Sequence, residues 1–145
     1  MEIYDLDTSI LLEIIFEQPR MKKAKELLHL STYRNRYLLH LSIIALGEAI
    51  LIINREEDPV KRNKYLFALS NILSSPLLKI YVPSPASMVS ILPFLKELDS
   101  YLDPADTLIL AAATSNFAKK FYTFDQRMLK SSKLPSNLSL EVLEP

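Results

Sequence analysis

A chain of 145 residues, 49% of them hydrophobic, carries apolar material for one globular core and is too short for several. Lys and Arg number 17 and Asp and Glu 17, so the net charge is zero and no strong basic field exists to hold DNA or an anionic membrane nonspecifically. There is no cysteine, which excludes disulfide frameworks, thiolate zinc sites and cysteine nucleophiles and agrees with a reducing cytoplasm.

In chain order, Glu2 to Leu6 reads as a short strand ending on Asp5 or Asp7. The opening MEIYDLDTS has no basic region before an apolar run, so no secretory signal is expected. Thr8 to Phe16 follows with Ile10, Leu11, Ile14 and Ile15 at helical spacing. Pro19 opens a second helix with Met21, Ala24, Leu27 and Leu28 on one face, and Arg34-Asn35-Arg36 is a polar connector. Tyr37 to Leu41 is a near-continuous apolar run, as an interior parallel strand would be. Ser42 is an N-cap for a helix from Ile43 to Asn54. The apolar stretch from Tyr37 to Ile53 is broken by His40 and Glu48 and is shorter than the ~20 residues of a spanning helix, so no membrane segment is expected.

Asp58-Pro59 starts a helix to about Leu73, and Leu78 to Val82 is a third strand. Ser84-Pro85 starts another helix, which Pro93 must kink or divide. Asp103, Pro104 and Asp106 fall at the N-cap, N1 and N3 positions of an Ala-rich helix. Phe121 to Thr123 is a fourth strand, and Leu138 to Leu143 alternates as an edge strand would. Strands alternating with helices predict a single α/β domain, residues 1–145, with a mainly parallel sheet. The single glycine leaves turns and caps to Asp, Ser and Pro, and it rules out both G-x-G-x-x-G and a Walker A loop.

In an open parallel sheet, ligands bind beyond the carboxyl ends of the strands. Asp7 follows the first strand, Asp125 follows the fourth, and Asp106 opens the helix leading into the fourth. Glu48 is the one formally charged side chain between Tyr37 and Ile53, on a helix apolar nearly all round. A lone buried carboxylate costs several kcal/mol unless paired or bound to metal. Taken singly, Asp7, Asp103 and Asp125 suit helix caps, and Asp103 is kept as one. Taken together, Asp7, Glu48, Asp106 and Asp125 form the donor set that a hard divalent cation prefers, with oxygen ligands and neither His nor Cys. Such a site activates water and stabilises the leaving oxygen of a phosphodiester.

Four segments resemble the acidic motifs of PIN-domain ribonucleases, most closely the VapC-type toxins of toxin–antitoxin pairs. They are LDTSILL at Leu6 to Leu12, LSIIALGE at Leu41 to Glu48, ADTLILAAA at Ala105 to Ala113 and FYTFD at Phe121 to Asp125. The resemblance spans almost the whole chain. It implies a PIN-like three-layer fold, a five-stranded sheet flanked by helices, and Mg²⁺- or Mn²⁺-dependent endonucleolytic cleavage of RNA. It carries Asp7, Glu48, Asp106 and Asp125 over as metal-site acids, with Thr8 and Thr123 as neighbouring hydroxyls. Ser9 stands where the family more often has Asn, and Asp5 and Asp103 are additional acids. A homodimer and a small antitoxin protein are the partners it implies.

Arg34, Arg36, Lys119, Lys120, Arg127 and Lys130 fall near predicted sheet ends, where a solvated face is the simpler reading for most. His40 reads as a core histidine and His29 as a helix-end residue. Two rival functions follow from the same residues. Asp5-Leu6-Asp7-Thr8 fits the opening of a haloacid-dehalogenase-like phosphatase, with Asp5 as nucleophile. Alternatively, a PIN-like fold serves as a binding or scaffold module whose acids are only caps.

Overall fold

The computed structural model describes residues 1–34, 37–100, 102–130 and 140–145. Its helices begin where the sequence placed their caps. Ser42 accepts from the Ala45 amide at 3.1 Å, Asp58 from Val60 at 3.0 Å, Ser84 from Ser87 at 3.4 Å and Asp103 from Asp106 at 2.9 Å. These bonds satisfy first-turn donors that the helix itself cannot. In chain order the elements are β1 (Glu2–Leu6), α1 (Thr8–Ile15), α2 (Met21–Arg34), β2 (Tyr37–Ser42), α3 (Ile43–Asn54) and α4 (Pro59–Leu73). There follow β3 (Leu78–Tyr81), α5 (Pro85–Ile91), a 3₁₀ segment (Leu92–Ser100), α6 (Pro104–Ser115), β4 (Lys120–Tyr122), α7 (Gln126–Leu129) and β5 (Glu141–Leu143). Pro93 divides its helix as expected, because it offers no amide to the ladder and α5 gives way to 3₁₀ turns.

The five strands lie in the order β3-β2-β1-β4-β5, and all four pairings are parallel. Helices cover both faces. Tyr37 and His40 point to opposite sides of β2. The Tyr37 hydroxyl donates to Leu27 O of α2 at 3.1 Å, whereas the His40 ring meets Asn116, just past α6, at 2.7 Å. Leu6 at the end of β1, Leu41 of β2, Phe121 of β4 and Leu110, Ala111, Ala112 and Ala113 of α6 are wholly inaccessible. Three successive alanines let α6 lie close on the sheet without overpacking it. Two expectations need correcting. His29 lies inside α2, which runs on to Arg34 because no Gly or Pro interrupts it, and Asn35 and Arg36 of the predicted connector lie outside the described residues. The edge strand is shorter than its alternation suggested: β5 begins at Glu141, and Leu138 and Ser139 lie outside the described residues.

The scarcity of glycine shows at the ends of α1 and α6. One residue past each C-cap the backbone turns left-handed, at Glu17 (φ 52°) and Phe117 (φ 59°). Glycine normally fills that position because a Cβ is strained there. Phe117 is 86% exposed and has little packing to lose. Phe117→Gly should therefore raise stability by about 0.5–1 kcal/mol in urea unfolding. An unchanged or lower midpoint would show that the aromatic ring stabilises this turn.

Candidate active site

The strand order has a switch point. From β1 the chain builds outward through β2 to β3, then returns to the other side of β1 for β4 and β5. Crevices for ligands open at such a reversal, beyond the carboxyl ends of the flanking strands. Here those strands are β1, followed by Asp7, and β4, followed by Thr123 and Asp125. Asp7 N donates to Tyr122 O at 2.9 Å and closes the junction.

Asp7 occupies the N-cap position of α1 yet makes no side-chain capping bond. Its carboxylate turns across the junction instead, accepting from Thr123 Oγ1 at 2.7 Å and Ser9 Oγ at 2.8 Å. Ser9 Oγ also accepts from the Phe124 amide at 2.9 Å and lies 3.2 Å from Thr123 Oγ1, which accepts from the Asp125 amide at 3.0 Å. A hydroxyl network thus ties the end of β1 to the turn after β4. Serine at position 9 serves it fully, since its oxygen donates once and accepts once. Burial raises the Asp7 pKa against the pull of the Thr123 and Ser9 hydroxyls. The Ser9 and Thr8 amides also favour its charged form, without closing a cap.

A cleft of about 640 Å³ opens beside this junction, lined on one side by Glu48 of α3 and on the other by Asp103, Asp106 and Asp125. Asp7 is 3% exposed and is not among the lining residues, but its charge acts on both Glu48 and Asp106. Burial raises the Glu48 pKa first, then the charges of Asp7, Asp103 and Asp125. The Thr8 hydroxyl, which donates to Ala45 O at 3.0 Å, pulls it down. Asp106 is pushed up to about 7 by burial and then by Asp103, Asp7, Asp125 and Glu48. Its Oδ2 is buried without a hydrogen-bond partner, and Arg127 Nη2 stands 4.0 Å from it. Glu48 and Asp106 therefore ionise against burial and against the acids around them. Among the described residues, however, no three acidic or histidine side chains stand as a ready-made metal ligand set.

Not every acid belongs here. Asp103 caps α6 as expected while also facing the cleft, and Asp125 caps α7 through Arg127 N at 2.8 Å. Asp5 is 1% exposed and outside the cleft lining; its carboxylate accepts from the Tyr81 hydroxyl and from Leu6 N. Burial pushes its pKa up to about 8. A buried, hydrogen-bonded, largely protonated carboxyl is a poor nucleophile, so the phosphatase role for Asp5 fails on this geometry. His40 is a core residue, 4% exposed and with its pKa lowered chiefly by burial.

Lys119 and Lys120 precede or begin β4 and so lie at the opposite edge of the sheet from the cleft; Lys120 Nζ sits 5.2 Å from the Tyr4 ring centroid. Arg55, at the C-cap of α3, does line the cleft, and no sequence motif marked it. Arg20 is a second residue found only in the structure. It pairs with buried Glu13 at 2.9 Å and lies 4.3 Å over the Phe124 ring, bracing the turn that carries Asp125.

Among solved structures, the fold is similar to VapBC2 from Rickettsia felis, determined bound to a promoter DNA fragment. The TM-score is 0.75 at 24% identity, covering 97% of this chain and 98% of that one. It is also similar to DNA-bound VapBC from Salmonella typhimurium (TM-score 0.70, 19% identity, 98% of each chain). A third likeness is to VapC20 of Mycobacterium tuberculosis, described as a sarcin–ricin loop cleaving toxin (TM-score 0.62, 18% identity, 84% of this chain and 89% of that one). Comparison with curated proteins gives no match. The family model for the PIN domain matches residues 4–134, a span that begins in β1 and includes Asp7, Glu48, Asp103, Asp106 and Asp125. By that match, the chain belongs to the PIN-domain family.

Proposed function

We propose that this protein is a divalent-metal-dependent endoribonuclease of the VapC type, the toxin half of a toxin–antitoxin pair, with RNA as substrate and a small antitoxin as partner. One observation supports the reading: Glu48 from one side and Asp103, Asp106 and Asp125 from the other line a single cleft, where burial first and then the neighbouring acids oppose the ionisation of Glu48 and Asp106. Helix caps alone do not require this, because a cap needs one carboxylate per helix end and gains nothing from like-charged neighbours. The donor chemistry fits a hard cation: carboxylate oxygens only, one of them buried with no hydrogen bond. The likeness to VapBC and VapC20 structures supports the choice of phosphodiester and partner.

In this reading Asp7, Glu48, Asp106 and Asp125 would hold Mg²⁺ or Mn²⁺, which supplies an activated water and charge neutralisation at the scissile phosphate. The chain's own work is placement. Thr123 and Ser9 fix the Asp7 carboxylate across the β1–β4 junction. The Thr8 hydroxyl favours the charged form of Glu48, and α6 presents Asp106 from a helix whose Leu110 to Ala113 are wholly buried.

The direct test is cleavage of a labelled RNA in Mn²⁺ and in EDTA by the wild type and Asp7→Asn. Cleavage that chelation abolishes and the substitution lowers by about 100-fold or more is expected, since even indirect supports of metal sites are worth 10–100-fold. Metal-independent cleavage, or an equally active Asp7→Asn, would refute the site. Neither cleavage nor metal binding would leave the scaffold reading standing.

A further inference from the structure

The cleft brings one cation against its acids. Arg127, the second residue of α7, is 58% exposed along its side chain, yet its Nη2 lies 3.5 Å from Asp125 Oδ2 and 4.0 Å from Asp106 Oδ2. Its backbone amide is already committed to Asp125 Oδ1, so the residue is anchored while the guanidinium remains on a flexible stem. Both ion pairs are long, and the guanidinium end of each faces solvent, so neither holds the side chain firmly in place. A divalent cation on the same carboxylates would repel the guanidinium and take its place against Asp106 and Asp125.

We propose that Arg127 is a two-position residue: resident counter-cation of Asp106 and Asp125 in the metal-free protein, then a clamp on the RNA backbone once metal displaces it. The proposal rests on the nuclease reading and adds to it a residue that binds substrate. Displaced from the acids, the guanidinium stays on the rim of the same cleft, where a planar two-pronged donor suits a phosphate next to the one being cleaved. Arg55, exposed on α3 at the same cleft, gives the strand a second cation to lie against. The device explains how a net-neutral protein could grip RNA only when its acids are neutralised.

The experiment takes the wild type, Arg127→Ala and Arg127→Lys. Each is titrated with Mn²⁺ by calorimetry, and with a fluorescein-labelled oligouridine by anisotropy in Ca²⁺ over a series of salt concentrations. Arg127→Ala should bind Mn²⁺ about 10-fold more tightly, the order that one unit charge facing a divalent ion exerts even at aqueous screening. Its RNA affinity should fall, and the log–log salt slope should become shallower by about 0.7, the value of one lost single-strand phosphate contact. Arg127→Lys keeps the charge and should keep the slope. An Arg127→Ala protein with wild-type Mn²⁺ affinity, or with an unaltered salt slope, overturns the proposal even if the wild type cleaves RNA. A wild type that takes up no Mn²⁺ overturns the nuclease reading itself, and this one with it. Metal-free melting of the exposed-site variants checks that each is folded.

Discussion

Asp106→Asn should melt higher than the wild type when both are free of metal, and should gain nothing when metal is added. At neutral pH the Asp106 carboxyl is ionised only against burial and the charges of Asp103, Asp7, Asp125 and Glu48. An amide of the same shape removes that repulsion, and its NH₂ can donate to the acids around it. The expected gain is about 1–2 kcal/mol, or several degrees in melting temperature for a chain of this size. The same substitution removes an oxygen donor, so the Mn²⁺-induced rise should disappear and RNA cleavage should fall by about 100-fold or more. A functional residue that destabilises its own fold is the usual mark of a site kept for chemistry. Differential scanning fluorimetry with EDTA and with Mn²⁺ decides the matter. If Asp106→Asn melts lower in EDTA and keeps the metal response, Asp106 is a structural acid and the shared site is wrong.

The second large effect is a stability that falls as pH rises, opposite to the usual behaviour of carboxylates. Asp106 is raised to about 7 and Asp5 to about 8, in both cases chiefly by burial, and Asp7 and Glu48 are raised as well. A carboxyl whose folded pKa exceeds its unfolded one holds its proton more tightly in the native state. Its contribution is fully present below the unfolded value near 4 and is lost as pH rises through 7 and 8. Metal-free protein should therefore lose on the order of a few kcal/mol between about pH 5 and pH 8.5. Metal binding requires the deprotonated carboxylates, so added Mn²⁺ should widen its stabilisation over the same interval. Thermal melts across this range in EDTA would contradict the account if the melting temperature were flat or rising.

These effects come from residues that were not equally legible in the sequence. Asp58-Pro59, Ser84-Pro85 and Asp103-Pro104 marked helix starts because a cap and its proline act within one turn, and the structure puts α4, α5 and α6 where they stand. Glu48 stood out because a charge inside an apolar helix is costly wherever that helix packs. The resemblance placed Asp7 among the site acids but left the role of Asp5 open. The two share side-chain parity at the end of β1, and only Tyr81, 76 positions from Asp5, engages Asp5 and leaves Asp7 to Thr123 and Ser9. Arg55 and Arg20 carried no local signal, since an arginine at a helix end or in a turn is most often merely solvated.

Local chemistry thus determined the helices, the strands and the parallel sheet, because caps, prolines and apolar periodicity act over a few residues. The order β3-β2-β1-β4-β5 was decided only by tertiary structure. Pairing β1 with β4 joins residues 116 positions apart, as in the Thr123–Asp7 bond, and no short-range preference reports so distant a contact. That pairing creates the switch point, turns Asp7 from a cap into a cross-strand acceptor, and brings acids from separate elements close enough to oppose the ionisation of Glu48 and Asp106 beyond the effect of burial.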